Sequence, residues 1–341
     1  MSSTNIIVLL CLVILAACGD SSSSKDAVDA VRLPLVLVED VELPGSATRF
    51  DYQDVDLTRG HLVVAHMNDS SVLILDLDDG SVLKEIKNIP VARGVVVAEK
   101  EGLVFVTSSP SSLVIINSDT MTEDKRVETG SSPDGVGWDP THKIVGVSDQ
   151  GDGAISLIPD SGNGTRTQIH LGRETGNVIF DESRGWFWIT VVADTPPDQL
   201  VAVDPMTVEV KKTIDLPDCS GAHGLLLHPD SKSAYVACES NSVLARVDLA
   251  KSTVIETIPT GVVPDVMDLD PDLGWLYVAA ELGDLTVVDI NKPGLVLVGT
   301  DQPGAYAHSI AVDPNTHRVF FPLEAGKKGK PVLRIMKPSG L

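Results

Sequence analysis

The chain carries few of the features that mark an enzyme. Its 341 residues include four cysteines and only 4% aromatic side chains. No G-x-S-x-G, H-E-x-x-H, C-x-x-C or G-x-G-x-x-G motif occurs. The nucleophile elbow, the zinc-protease helix, the redox dithiol and the dinucleotide loop are therefore absent as motifs. Positive charge is scarce too, with 26 Lys and Arg against 48 Asp and Glu for a formal charge of −22. No basic run exceeds two residues, as at Lys327-Lys328. A surface this acidic repels phosphate backbones, which excludes nucleic acid as an expected partner. Its plainest role is to keep the protein soluble.

Long hydrophobic runs are also missing. The most apolar stretch, residues 6–17, is about a dozen residues long, short of the roughly 20 that a membrane-spanning helix needs. It ends in Leu15-Ala16-Ala17-Cys18-Gly19. This resembles a bacterial lipobox, which implies cleavage before Cys18 and attachment of diacylglycerol to its sulfur. On that reading residues 1–17 are a lipoprotein signal peptide and residues 18–32 a flexible tether containing Ser21 to Ser24. The protein is then held to a membrane of the cell envelope through its lipid, with an outer-membrane location favoured because Gly19, not Asp, follows the cysteine. It is secreted if the lipobox is unused. Two cysteines remain beyond this segment, Cys219 and Cys238, and in an oxidising compartment an isolated pair implies one disulfide.

What the chain does have is a repeat. Asp56, Ala98, Asp139, Asp181, His228, Asp270 and Asp313 stand 41 to 47 residues apart, each at a turn between two apolar runs. That period suits one four-stranded propeller blade per repeat. Second strands read Leu62 to Ala65, Leu103 to Val106, Trp186 to Ile189, Ala234 to Ala237 and Trp275 to Val278, and third strands read Val72 to Asp76, Leu113 to Ile116 and Leu285 to Asp289. The fold expected is all-β, a seven-bladed β-propeller over residues 33–341. The last repeat stops after its third strand, near Pro331 to Ile335, whereas Leu35 to Glu42 precedes the first repeat unclaimed. The N-terminal strand is thus expected to complete the last blade. The repeat also sets Cys219 just before the first strand of its blade and Cys238 at the end of the second, ends that antiparallel pairing brings together.

Pro133 to Pro140, His223-Gly224-Leu225 followed by Tyr235-Val236-Ala237, and Arg49-Phe50-Asp51-Tyr52 resemble the YVTN-type (YncE-like) seven-bladed propellers of exported bacterial and archaeal proteins. The resemblance implies the architecture, while propellers of this kind host binding, scaffolding and some enzymatic roles.

Propellers place ligands at the central channel. Counting back five residues from each turn gives one ring: Asp51, Arg93, Asp134, Gly176, His223, Asp265 and His308. The ends of the second strands add His66, Asp149, Glu239, Glu281 and Glu324. Three readings of this ring stay open. Polar residues there can simply hold water and bond backbone amides. His223, His308, Asp265 and Asp51 can bind a divalent metal or a cationic ligand. A histidine can serve as general base, with Arg93 steadying an anionic group, as in lactonase-like hydrolases or lyases. Elsewhere, His228 reads as a turn residue, and His142, His170 and His317 as solvated side chains. The tryptophans read as packing between blades. The functional expectation is a monomeric binding or scaffold module that takes an envelope protein or small ligand at the channel mouth. The alternative is a channel-centred hydrolase or lyase, with metal assistance.

Overall fold

The second and third strands of each repeat are apolar on both faces, so each must be covered on both sides. The computed structural model of the protein describes residues 35–340 and meets that demand with seven four-stranded antiparallel sheets. Alternation along a strand sends neighbouring side chains to opposite faces. In blade 7, Val319 and Phe321 pack with Tyr277, Ala279 and Val287 of blade 6, while Phe320, Leu333 and Ile335 pack with Leu62, Leu73 and Leu75 of blade 1. The core is consequently a series of interfaces between blades. Trp188 is fully buried in the interface between blades 4 and 5. Outer strands are more polar, and Thr122–Glu128 of blade 2 is largely exposed. Among the described residues no helix is long and apolar enough to cross a membrane.

Blade 7 closes the ring as expected. Its order is Ala311–Asp313, Arg318–Leu323, Val332–Pro338 and then Leu35–Glu42 from the other end of the chain. The closing pair runs antiparallel from Leu35 opposite Pro338 to Glu42 opposite Val332, with an irregularity between Leu37 and Glu39. Two hydrogen bonds of 2.7 Å from the Arg334 guanidinium to the Asp40 carboxylate reinforce it. The proposed signal peptide and tether lie outside the described residues.

Cys219 and Cys238 form the expected disulfide, with their Cα atoms 5.2 Å apart. Ala222, three residues after Cys219, pairs directly with Cys238 in the sheet. The turn aspartates accept backbone N–H groups, as Asp139 does from Thr141 at 2.8 Å and His142 at 3.0 Å. His228 is a turn residue, its Nδ1 2.8 Å from Asp230. His142 is exposed as expected, with Nδ1 2.7 Å from the buried carboxylate of Asp139, whereas the solvated reading fails for His317, which is half-buried with Nδ1 2.7 Å from the buried carboxylate of Asp270. His317 thereby links blade 7 to the turn of blade 6. His170 is exposed, with Nδ1 2.9 Å from the carbonyl of Asp152.

Two further aspartates tie neighbouring blades together within the channel. Asp54 accepts the N–H of Val97 in blade 2 at 2.7 Å, and Asp268 that of Val312 in blade 7 at 2.7 Å. Each also accepts the N–H of the residue that follows it. Burial pushes the Asp54 carboxyl up to about 6 and that of Asp268 up to about 7. Both lie above the unfolded value, so this stability is fully present below about pH 4 and is lost as pH rises through about 6 and 7. Within that window each group removes about 1.4 kcal/mol per pH unit. The urea midpoint should therefore fall from pH 4 to 7, and Asp268→Asn should flatten part of the fall. An unchanged profile in the variant would show that the two N–H donors keep the carboxylate ionised.

Candidate functional site

One local irregularity builds the ring. In blades 2 to 6 the inner strand slips register with its neighbour at the same place, between Ala92 and Val95, Pro133 and Val136, Thr175 and Val178, Ala222 and Leu225, and Pro264 and Met267. A bulge inserts one extra residue and re-aims its side chain. Arg93, Asp134, Gly176, His223 and Asp265 fall in those five gaps. Asp51 and His308 stand just ahead of the inner strands Gln53–Asp56 and Ala311–Asp313. Glycine then lets the blades close in. A methyl group at Gly94 would lie 2.2 Å from the carbonyl oxygen of Asp134, and one at Gly224 would lie 2.0 Å from that of Asp265.

The result is a cavity of about 350 Å³ at one end of the channel, walled by Asp51, Arg93, Asp134, His223 and Asp265 of the ring. Glu239 and Glu281 join them from the second strands, as the repeat implies. Arg49, Tyr52 and Gln150 also line it and escaped the sequence reading. Tyr52 borders a second cavity too, about 460 Å³, which opens lower in the channel among Val97, Trp138, Phe180 and Ile310. A recess of about 230 Å³ between blades 4 and 5 shares His223 and Glu239 with the mouth.

The cations of the mouth are already engaged. Arg49 grips Glu281 with two hydrogen bonds of 2.6 and 2.8 Å. Arg93 donates to Gln150 at 2.7 Å and lies 3.9 Å from Asp134. His223 sits among three carboxylates, with Nε2 3.4 Å from Asp134 and 3.6 Å from Asp265, and Nδ1 3.8 Å from Glu239. Burial opposes a charge on this ring, but Asp134, Asp265, Glu239 and Asp51 outweigh it and hold its pKa up at about 9. Burial pushes Asp265 up to about 7, and it also raises Glu239. Burial and the charges of Asp134 and Asp265 push Asp51 well above the ordinary carboxylate range. Glu281 stays below that range despite its burial, because Arg49 bonds it directly.

Other expected members of the ring lie elsewhere. His308 is 1% exposed and does not line the cavity, although one of its ring nitrogens lies within 4.8 Å of the Asp51 and Asp265 carboxylates. Its Nδ1 is 3.1 Å from the carbonyl of Tyr306 and its Nε2 3.0 Å from that of Phe50. His66 stacks on Phe50 at 4.0 Å between ring centroids and contacts Thr48 at 3.2 Å. Asp149 accepts bonds from Gly130, Ser156 and Gln168 and is spent on structure. Glu324 is half-buried at the rim, its pKa raised by burial. The chemistry follows from these positions. His223 carries a proton at neutral pH and can donate one, while His308 is hemmed in by two carbonyls. Neither is placed as the general base that the catalytic reading requires.

No protein-family model matches this sequence, and no curated protein matches it. Solved structures do. A chain of the Kuenenia stuttgartiensis hydrazine synthase superposes with a TM-score of 0.69 at 17% identity, covering 81% of this chain and 92% of that one. A chain from the crystal structure of the mitotic checkpoint complex gives 0.74 at 12% identity, covering 96% and 99%. The likeness is one of fold. Propellers commonly serve as binding or scaffold modules, and at such identities the likeness carries no activity across.

Proposed function

We propose that this protein is an exported, lipid-anchored propeller that binds a positively charged ligand at the mouth of its central channel. The observation that carries the reading is the surplus of carboxylates there. Asp51, Asp134, Asp265, Glu239 and Glu281 face two guanidinium groups and one imidazolium, and the guanidinium groups are held by Glu281 and Gln150. Burial and mutual repulsion raise Asp51, Asp265 and Glu239, so an added cation takes the place of the protons they would otherwise hold. A ligand larger than an ion has room to extend into the recess shared by His223 and Glu239. Export and anchoring are supported by Leu15 to Gly19 and suit a disulfide-bonded protein.

One experiment with two arms tests this. In the first, the full chain expressed in a bacterial host should fractionate with membranes, and Cys18→Ser should release it; a soluble wild type would remove the anchor from the proposal. In the second, calorimetric titration with methylguanidine should show binding that Glu239→Gln or Asp134→Asn weakens about tenfold, the scale expected from losing one charged partner. If neither methylguanidine nor any metal ion binds, the mouth is a water-filled channel end and the functional reading fails.

A further inference from the structure

The mouth contains one carboxylate with nothing to hold it. Asp51 is 4% exposed and lines the cavity, yet among the described residues its carboxylate accepts no hydrogen bond and makes no ion pair. Buried charges are ordinarily paired, hydrogen-bonded or bound to metal. Its sidewall neighbours are differently placed. Asp265 is approached by the Tyr52 hydroxyl at 3.4 Å, and Asp134 by Arg93 and His223. Asp51 thus feels Arg49 and Arg93 only as more distant charges, and no protein group contacts its carboxylate on the cavity side.

A second observation points to what fills it. Ligand atoms of Asp51, Asp265 and His308 all lie within 4.8 Å of one another. The His308 ring is oriented through a backbone carbonyl at one nitrogen, that of Tyr306 at 3.1 Å, which is how metal-binding imidazoles are usually set. Its other nitrogen lies 3.0 Å from the carbonyl of Phe50, the residue next to Asp51. Only one of two ring nitrogens of a neutral imidazole bears hydrogen, so one carbonyl here faces a nitrogen lone pair. A cation removes that mismatch as well as the isolation of Asp51. Ligand atoms of His223, Glu239 and Asp265 also lie within 4.8 Å of one another, but Asp265 approaches one nitrogen of that ring at 3.6 Å and Glu239 the other at 3.8 Å, so both nitrogens already face a carboxylate.

We propose that Asp51, Asp265 and His308 bind a divalent transition-metal cation at the floor of the channel mouth. Two carboxylates balance its charge, and one imidazole favours Mn²⁺ or Zn²⁺ over Ca²⁺, which prefers six to eight oxygens. The proposal rests on the reading of the mouth as a cation site and names one occupant of it.

The test uses the full chain after chelator treatment, dialysed against Mn²⁺ and read by elemental analysis and by the loss of the free Mn²⁺ resonance signal. The expected result is about one Mn²⁺ per chain, with at least about a tenfold loss of affinity in Asp51→Asn and in His308→Gln. Asp51→Asn tests the proposal cleanly, since its carboxylate holds no other group in place and the variant should fold. No bound Mn²⁺ or Zn²⁺ in wild type, or unchanged affinity in folded Asp51→Asn, overturns the proposal. Methylguanidine binding to the same metal-free protein would then leave the broader cation reading standing, whereas its failure would remove both.

Discussion

A chain lacking Leu35–Glu42 should lose its single cooperative melting transition or melt far lower. The deleted strand is the outer strand of blade 7, paired along its length with Val332–Pro338. Its removal abolishes that set of backbone bonds, each worth about 1 kcal/mol net, and the two-point contact between Arg334 and Asp40. Val41 would also leave the cluster of Leu333, Ile335 and Leu62. Blades bury their faces only against neighbours, so an opened seam weakens both adjoining interfaces. The expected loss is on the order of 5 kcal/mol, and at roughly 2–4 °C per kcal/mol the midpoint drops by about 10 °C or more. Calorimetry of full and shortened chains measures this. A synthetic peptide of residues 35–42 should recover part of the loss, and an unchanged midpoint in the shortened chain would show that the ring is closed by other contacts.

The second large effect is expected at the disulfide. Cys219 and Cys238 are 19 residues apart, and closing a loop of this size restricts the unfolded chain by about 3 kcal/mol. Both sulfurs are buried, so Cys219→Ala with Cys238→Ala avoids burying new hydroxyl groups. Urea denaturation of this variant, and of wild type under reductant, should give matching losses near that size. The consequence reaches the mouth, because Glu239 follows Cys238 directly and His223 lies four residues beyond Cys219. Methylguanidine affinity should fall with the disulfide removed even where the protein remains folded. If affinity holds, the sheet pairing of Ala222 with Cys238 alone positions these groups.

The seven blades, the closing strand and the disulfide were legible in the sequence because each follows from where apolar runs fall along a fixed period. Leu35 to Glu42 was recognisable as a strand without a partner, and only one blade lacked a strand. The ring was partly legible for the same reason. Counting back five residues finds Asp51, Arg93, Asp134, His223 and Asp265 on the cavity wall, since the bulge recurs at one place in blade after blade. Period says nothing, however, about competition for a side chain. Asp149 pairs with Pro133 as Cys238 pairs with Ala222 and Ala280 with Pro264, so the equivalent of Glu239 and Glu281 in blade 3 is Gln150. His66 and Asp149 end their strands one place earlier, where Phe50 and Thr48 take His66, and Gly130, Ser156 and Gln168 take Asp149. Arg49 was invisible as a site residue because its partner Glu281 lies 232 positions away. Gln150 begins a short 3₁₀ turn one residue beyond the counted position. His317 looked solvated because nothing in its spacing revealed the carboxylate of Asp270 beside it.

The seam in blade 7 also decides how the molecule responds to being pulled. Any tension transmitted along the residues before Leu35 enters the ring through its closing strand, at the pair Leu35 and Pro338. A load that draws Leu35 away from Pro338 across the strands separates the pairs one after another instead of shearing all of them at once. Under such a load the mechanical weak point of the ring is the strand that fastens it, and blade 7 opens before the bulges that hold Asp134, His223 and Asp265 are disturbed.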